Sequence, residues 1–308
     1  MAALLVTTSL AAPRAQQLQY LSGQSVAPFF EGWEQNADGS FNMVFGYMNR
    51  NYREELNIPV GPANRIEPAT LEQPQPTYFY PRRHRFMFRV RVPEDWGKKD
   101  VVWTLTANGK TEKAYATLRP DYVLDDVVKA SETGALGAGT SSPEVRANKP
   151  PVVKLDGARQ RNVKVGQPLS LVAWVTDDGI PKRRGRGDVI GSNTRTRGSE
   201  EFAKLFGTRN PAMIPPSRAT VGKVVGLHLS WLVYRGSGNV KIDPPQIEPW
   251  EDTRTGANSP WAPLWTPPEL PPDGKWTATA TFDEPGTYVL CARADDGALV
   301  TEIGRAHV

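Results

Sequence analysis

Two Asp-Asp-Gly triplets recur in the chain, Asp177-Asp178-Gly179 and Asp295-Asp296-Gly297. Each closes a run of alternating apolar residues, so each should cap a strand. If the two strands end at the same pole of a sandwich, four carboxylates converge there. Ca²⁺ takes roughly six to eight oxygen ligands, which clustered Asp side chains and loop carbonyls can supply. The spacing of a calcium-binding loop is missing, and Asp-Gly is also good turn chemistry in its own right. Asp177, Asp178, Asp295 and Asp296 are therefore the candidate metal ligands, and calcium is the one candidate cofactor. The same carboxylates are the candidate acid and base if the chain were a hydrolase.

A second concentration of chemistry lies at residues 180–223, with ten basic residues against three acidic ones. Arg183, Arg184 and Arg186 lead it as candidate contacts to an anionic partner, although a solvated loop is the simpler and favoured explanation of such a charge run. Aromatic residues do not interleave with these charges, so nucleic acid is not expected as a partner. Arg186-Gly187-Asp188 spells an integrin-recognition tripeptide, which an Arg- and Gly-rich loop produces easily by chance. Trp250, Trp261 and Trp265 stand in a Pro-rich stretch and could form an aromatic platform for sugar rings, or pack over a sheet edge. There is no Gly-x-Ser-x-Gly elbow, phosphate-binding loop or HExxH pair. The single cysteine, Cys291, excludes an intrachain disulfide and a cysteine-based zinc cluster. By alternation it should point away from the core as a partly exposed thiol.

These residues need elements to hold them, and the patterning is that of strands. In residues 275–297, Trp276, Ala278, Ala280 and Phe282 alternate with Thr277, Thr279 and Thr281. Asp283-Glu284-Pro285-Gly286 turns the chain, and Tyr288, Leu290, Ala292 and Ala294 share a face of the next strand. Leu169, Leu171, Ala173 and Val175 make another strand, as do Leu227, Leu229, Trp231 and Val233. In the first half, Phe86, Phe88, Val90 and Val92 should face one way and Arg85, Met87, Arg89 and Arg91 the other. Asn108-Gly109 predicts a type I′ hairpin, because both central residues tolerate positive φ. Residues 62–81 are Pro-rich and polar and read as a long surface loop. Residues 121–130 could make one or two helical turns.

With 308 residues, 28 Pro and 27 Gly, the chain has room for two domains of short strands and many turns. A hydrophobic share of 39% and a charged share of 23% fit folded domains, and a net charge of +4 gives no chain-wide sign of nucleic-acid binding. The expected organisation is a signal segment at 1–15, a first β-sandwich at 26–120, a linker at 121–149 and a second sandwich at 150–301 carrying the basic insertion 180–223. Back-translated, residues 302–308 match the start of a common sequencing adapter and are expected to be a non-native tail. On that basis the second sandwich should lack its last strand.

The turn, Gly286 and Tyr288 resemble the tyrosine corner of immunoglobulin-like domains, a likeness that extends to PKD-type domains of bacterial surface proteins. Trp231 falls where such domains place a core tryptophan. FFEGWEQNADGSFNMVFGYMNRN, YPRRHR, WTLTANGKT and the run from NKPPVVKL to VTDDG resemble a type of secreted bacterial protein with two tandem β-sandwiches and unknown activity. The resemblance implies an all-β fold and a secreted, periplasmic or cell-envelope location. It implies a non-catalytic binding, structural or adhesion role toward a protein or a cell-surface polysaccharide. The alternatives are a carbohydrate-binding accessory module using the Trp-rich loop and the Asp-based hydrolase. No membrane span is expected beyond the signal segment.

Overall fold

The computed structural model describes residues 20–132, 143–182, 226–236, 239–248 and 268–307. Mostly β, it is built from several antiparallel sheets. In the first half β1 (Val26–Gln35), β2 (Phe41–Asn49) and β6 (Arg82–Val92) form one sheet in that order. A second sheet has the order β4 (Asn64–Glu67), β7 (Val101–Ala107) and β8 (Lys110–Ala116), and β3 (Leu56–Asn57) pairs with β5 (Tyr78–Phe79). The core between the sheets is aromatic. Phe45 stacks on Phe88 at 5.2 Å, and Phe88 meets Trp103 edge-on at 4.7 Å, both favoured ring geometries. Asn108 and Gly109 take φ of 47° and 75° in the β7–β8 hairpin, as the sequence predicts.

Strand β6 departs from simple alternation. Its register against β2 shifts between Phe45 and Tyr47, and Phe86 adopts a φ of 58° inside the resulting bulge. Phe88, Val90 and Val92 face the core as expected, but Met87 joins them while Phe86 turns outward to pack with Val44 and Leu124. The bulge sits opposite Gly46, where a Cβ would fall 2.1 Å from Glu31 Oε1 and 2.4 Å from the carbonyl of His84. A glycine is therefore what allows the Glu31 carboxylate to lie over the sheet beside Arg83, at 2.7 Å.

The segment expected to be a surface loop, 62–81, is instead partly internal: 68–70 is exposed, but residues 74–77 are buried. Asn64 and Gln75 are fully buried, and β4 and β5 lie within the segment. Its polar side chains replace the sheet ladder that a Pro-rich backbone cannot complete. Asn64 Nδ2 donates to the carbonyls of Ile58 and Pro76, and Gln73 Oε1 accepts from the Ile66 N–H.

In the second half β9 (Val152–Leu155), β10 (Leu169–Thr176), β12 (Val240–Asp243) and β13 (Lys275–Phe282) form a sheet of order β12-β13-β10-β9. The facing sheet is β11 (His228–Arg235), β14 (Val289–Asp295) and β15 (Val300–His307). The core between them includes Leu171, Ala173, Trp231, Ala280, Phe282, Tyr288 and Leu290. Tyr288 is buried, and its hydroxyl donates to the Glu284 carbonyl four residues upstream at 3.0 Å, the bond a tyrosine corner makes. The expectation of a missing last strand is overturned, because Val300–His307 pairs antiparallel with β14 as β15. A strand needs backbone partners more than a particular side-chain pattern, and β14 offers a free edge.

Short helices α1 (Asp126–Glu132) and α2 (Pro143–Arg146) lie between the halves. Helix α1 is tied down: Lys129 pairs with Glu34 at 2.8 Å, and Ala130 packs on Ala298 and Leu299.

Candidate functional site

The Asp triplets carry out turn and linker chemistry. Asp177 Oδ2 accepts from Gly179 N at 2.8 Å, Asp178 Oδ1 from Ile180 N at 2.9 Å and Asp295 Oδ1 from Gly297 N at 2.7 Å. Asp296 is 1% exposed; its Oδ1 accepts from the N–H groups of Ala298 and Leu299 at 2.6 and 2.7 Å. Two consecutive residues bridge the triplets. Asn148 Nδ2 donates to Asp296 Oδ2 at 3.0 Å, while Lys149 N donates to Asp178 Oδ2 at 3.0 Å. Among the described residues no three His, Cys, Asp or Glu side chains gather as a metal ion would require. Burial pushes the Asp296 carboxyl up to about 7 against the pull of its three donors, and burial also raises Asp177.

His84 and His228 are both structural. His84 is 2% exposed, stacks on Tyr47 at 4.8 Å and shares a hydrogen bond of 3.0 Å with the Pro81 carbonyl. Burial, helped by the charges of Arg293 and Arg83, drives its pKa down to about 3, so the ring is neutral. His228 is buried against the Gly226 carbonyl at 2.8 Å. Cys291 is not the partly exposed thiol expected from alternation. It does face away from Leu290 and Ala292, but that second face of the sheet packs on the first half, leaving Cys291 6% exposed within the first half's core cluster.

That packing defines a junction the sequence did not reveal. Tyr234 and Val289 join Cys291 in the core of the first half, and Tyr78 and Tyr80 pack against the core of the second. Arg235 donates to the carbonyls of Gln73 and Gln75, and Tyr234 Oη donates to the Pro74 carbonyl at 2.5 Å. Thr77 N donates to the Tyr234 carbonyl at 3.0 Å, so the 73–80 segment runs along part of the free edge of β11. Further along that edge, side chains take the outward N–H groups. Gln246 Oε1 accepts from Trp231 N at 2.7 Å, and Tyr80 Oη accepts from Val233 N at 2.9 Å. The edge is thus blocked against pairing with another strand.

Beside this edge runs a groove with two lobes that share Trp231, Gln246 and Ile247. The lobe at the junction, about 240 Å³, is bounded by Glu55, Tyr78 and Tyr80 on one side and by Asn239 and Ile242 on the other. The second lobe, about 270 Å³, opens between the two sheets at Leu229, Pro244, Pro268 and Trp276. Tyr78 Oη donates to Glu55 Oε2 at 2.7 Å, which together with burial raises the phenol's pKa well above its ordinary value. Trp231 is 4% exposed, and its indole Nε1 has no acceptor among the described residues. Buried N–H groups are rarely left so.

Of the residues singled out from sequence, Arg183, Arg184, Arg186, Trp250, Trp261 and Trp265 lie outside the described residues, as do the signal segment and the Arg186-Gly187-Asp188 tripeptide. Glu55, Tyr78 and Gln246 carried no signal in the sequence, since their convergence depends on the junction. No described helix is long and apolar enough to cross a membrane.

No protein-family profile matches the chain, and no curated protein does. Among solved structures, the chain aligns with the Yersinia pseudotuberculosis adhesin InvE at 11% identity and a TM-score of 0.22, covering 93% of this chain and 59% of that one. It therefore spans little more than half of InvE's length. It also aligns with the D0-D1 domain of intimin at 10% identity and a TM-score of 0.21, covering 91% of this chain and 96% of that one. At this level of superposition neither likeness bears on what the chain binds.

Proposed function

We propose that the chain is a non-catalytic binding and structural protein of the cell envelope or extracellular space. In this reading two immunoglobulin-like β-sandwich units are locked into one body that presents a ligand groove at their junction. The observation that carries it is the interlock itself: Tyr234, Val289 and Cys291 sit in the first half's core, and Arg235 is spent on the carbonyls of Gln73 and Gln75. Clefts between packed units are a common place for ligands, because a rigid frame holds both walls in register. The Asp-based hydrolase has less support, since the Asp178 carboxylate accepts from the backbone and the Asp296 carboxylate accepts from the backbone and from Asn148.

The test is to immobilise the full chain and apply purified cell-surface polysaccharides and extracellular proteins. Reversible retention of a ligand recovered chemically unchanged is the expected result. Release of cleaved or otherwise converted product would overturn the reading.

A further inference from the structure

Resting on the binding role just described, but on a different surface from the junction groove, we propose that the outer face of the β12-β13-β10-β9 sheet binds an anionic oligosaccharide. Trp174 would lie under a sugar ring, with Lys154 and Lys275 on the acid groups beside it. Trp174 is 36% exposed on β10, whereas its strand neighbours Ala173 and Val175 are buried in the core. The register sets Lys154 of β9 directly across from it on one side and Lys275 of β13 on the other. Directly paired residues project from the same face, with neighbouring strands about 4.8 Å apart, so the two lysines bracket the ring. Lys275 Nζ lies 5.6 Å from the centre of the indole.

The cations of this face are open. Its strands turn Lys154, Lys241 and Lys275 outward against a single acid, Asp243. Asp156 and Asp273 stand in the turns beyond the strand ends, where Asp273 Oδ1 accepts from Lys275 N at 3.0 Å. Among the described residues no carboxylate lies within ion-pair distance of any of the three lysines. The outer face of β6 is the contrast: Arg83, Arg89 and Arg91 are each paired there, with Glu31, Glu34 and Asp38. Exposed cations are thus neutralised on one sheet and left available on the other.

A sugar ring has an apolar C–H face and a polar rim. That matches one indole set among hydroxyls, since Ser170, Thr277 and Thr279 occupy the next positions on the same face. A neutral sugar would leave both ammonium groups without a counter-charge, whereas carboxylate or sulfate groups on the rim pair with them. An acidic polypeptide would match the lysines but not the lone indole, because protein interfaces are built on clustered apolar anchors with charge kept to the rim. Single-stranded nucleic acid calls for successive aromatic platforms along a basic groove. The strands offer this face one tryptophan and no arginine. The surface is separate from Trp250, Trp261 and Trp265 and from the arginines of residues 180–223.

The experiment is an indole ¹⁵N–¹H NMR titration of the full chain with trigalacturonate and with sulfated maltotriose, which separate carboxylate from sulfate recognition. The Trp174 signal is assigned by its loss in Trp174→Phe, and because it reports on this face alone, binding elsewhere on the chain leaves it still. Maltotriose, tetraglutamate and oligothymidylate are the neutral, peptide and nucleic-acid comparisons. At least one anionic trisaccharide should shift the signal saturably, more weakly as salt is raised. Its affinity should fall about tenfold in the double surface variant Lys154→Gln, Lys275→Gln, from two exposed ion pairs at about threefold each. The rest of that variant's amide spectrum should overlay the wild type's. The proposal is overturned if neither anionic trisaccharide moves the signal, if maltotriose moves it as readily, or if the double variant binds unchanged. It is equally overturned if tetraglutamate or oligothymidylate moves the signal at lower concentration. A cell-surface ligand retained unchanged by the chain that leaves the Trp174 signal still would keep the binding role and remove this face from it.

Discussion

At the scale of single residues, the Asp-Asp-Gly triplets show how far residue type alone can carry a reading. The sequence correctly marks them as strand-ending turns. It could not show that Asn148 and Lys149 would take one carboxylate oxygen from each triplet, because those contacts span 148 and 29 residues of chain. Asp296 has a testable consequence. Its carboxyl titrates near 7 in the fold against an ordinary value of 3.8, so the folded state holds the proton that the unfolded chain gives up. Its stabilising contribution is full below about pH 4 and is lost as pH rises toward 7, with a slope of up to about 1.4 kcal/mol per pH unit. Asp177, also raised, adds a slope of the same sign. Urea denaturation should therefore show Asp296→Asn gaining on the wild type from about pH 5 to about pH 8; parallel curves would mean that the carboxyl is not desolvated. Cys291 gives a simpler check. Buried in the junction, it should resist Ellman's reagent in the native protein and react at once in denaturant. Prompt native reactivity would mean that the two halves do not pack on each other there.

At the scale of elements, alternation located the long strands well because their faces differ: Leu171, Ala173 and Val175 on β10, and Phe88, Val90 and Val92 on β6, are all buried as read. It failed at the β6 bulge, where an irregular stretch shifts the face that Phe86 and Met87 occupy. It failed again at 62–81, where buried Asn and Gln side chains satisfy the backbone while composition suggests a solvated loop. Gly46 is the residue on which the bulge depends. Its φ is ordinary, so the cost of Gly46→Ala is purely steric: the new methyl would press on the Glu31 carboxylate and on the His84 backbone. The loss should be about 1–3 kcal/mol, visible as a lower melting temperature with unchanged β-sheet circular dichroism. For β15, a variant ending after Leu299 leaves the edge of β14 without its partner. It should be less stable and associate as concentration rises, which analytical ultracentrifugation would detect.

At the scale of the molecule, the strand-rich character of both halves was legible, but their relationship was not. Each half announces its own core by periodicity, whereas the junction is made of residues that read as surface when either half is taken alone. Cys291 and Tyr234 occupy the solvent phase of their strands, Arg235 looks like an ordinary strand end, and the 73–80 segment looks like a loop. Together they place two cores in contact and leave the β11 groove as an open wall between them. The central claim is that the chain folds as one body. Differential scanning calorimetry of the full chain and of Arg235→Ala tests it most directly, since Arg235 crosses the junction to Gln73 and Gln75. One cooperative transition is predicted for the wild type, with Arg235→Ala lowering or splitting it because the freed carbonyls lose their donors. Two separate transitions in the wild type, or a variant that melts indistinguishably from it, would contradict the account.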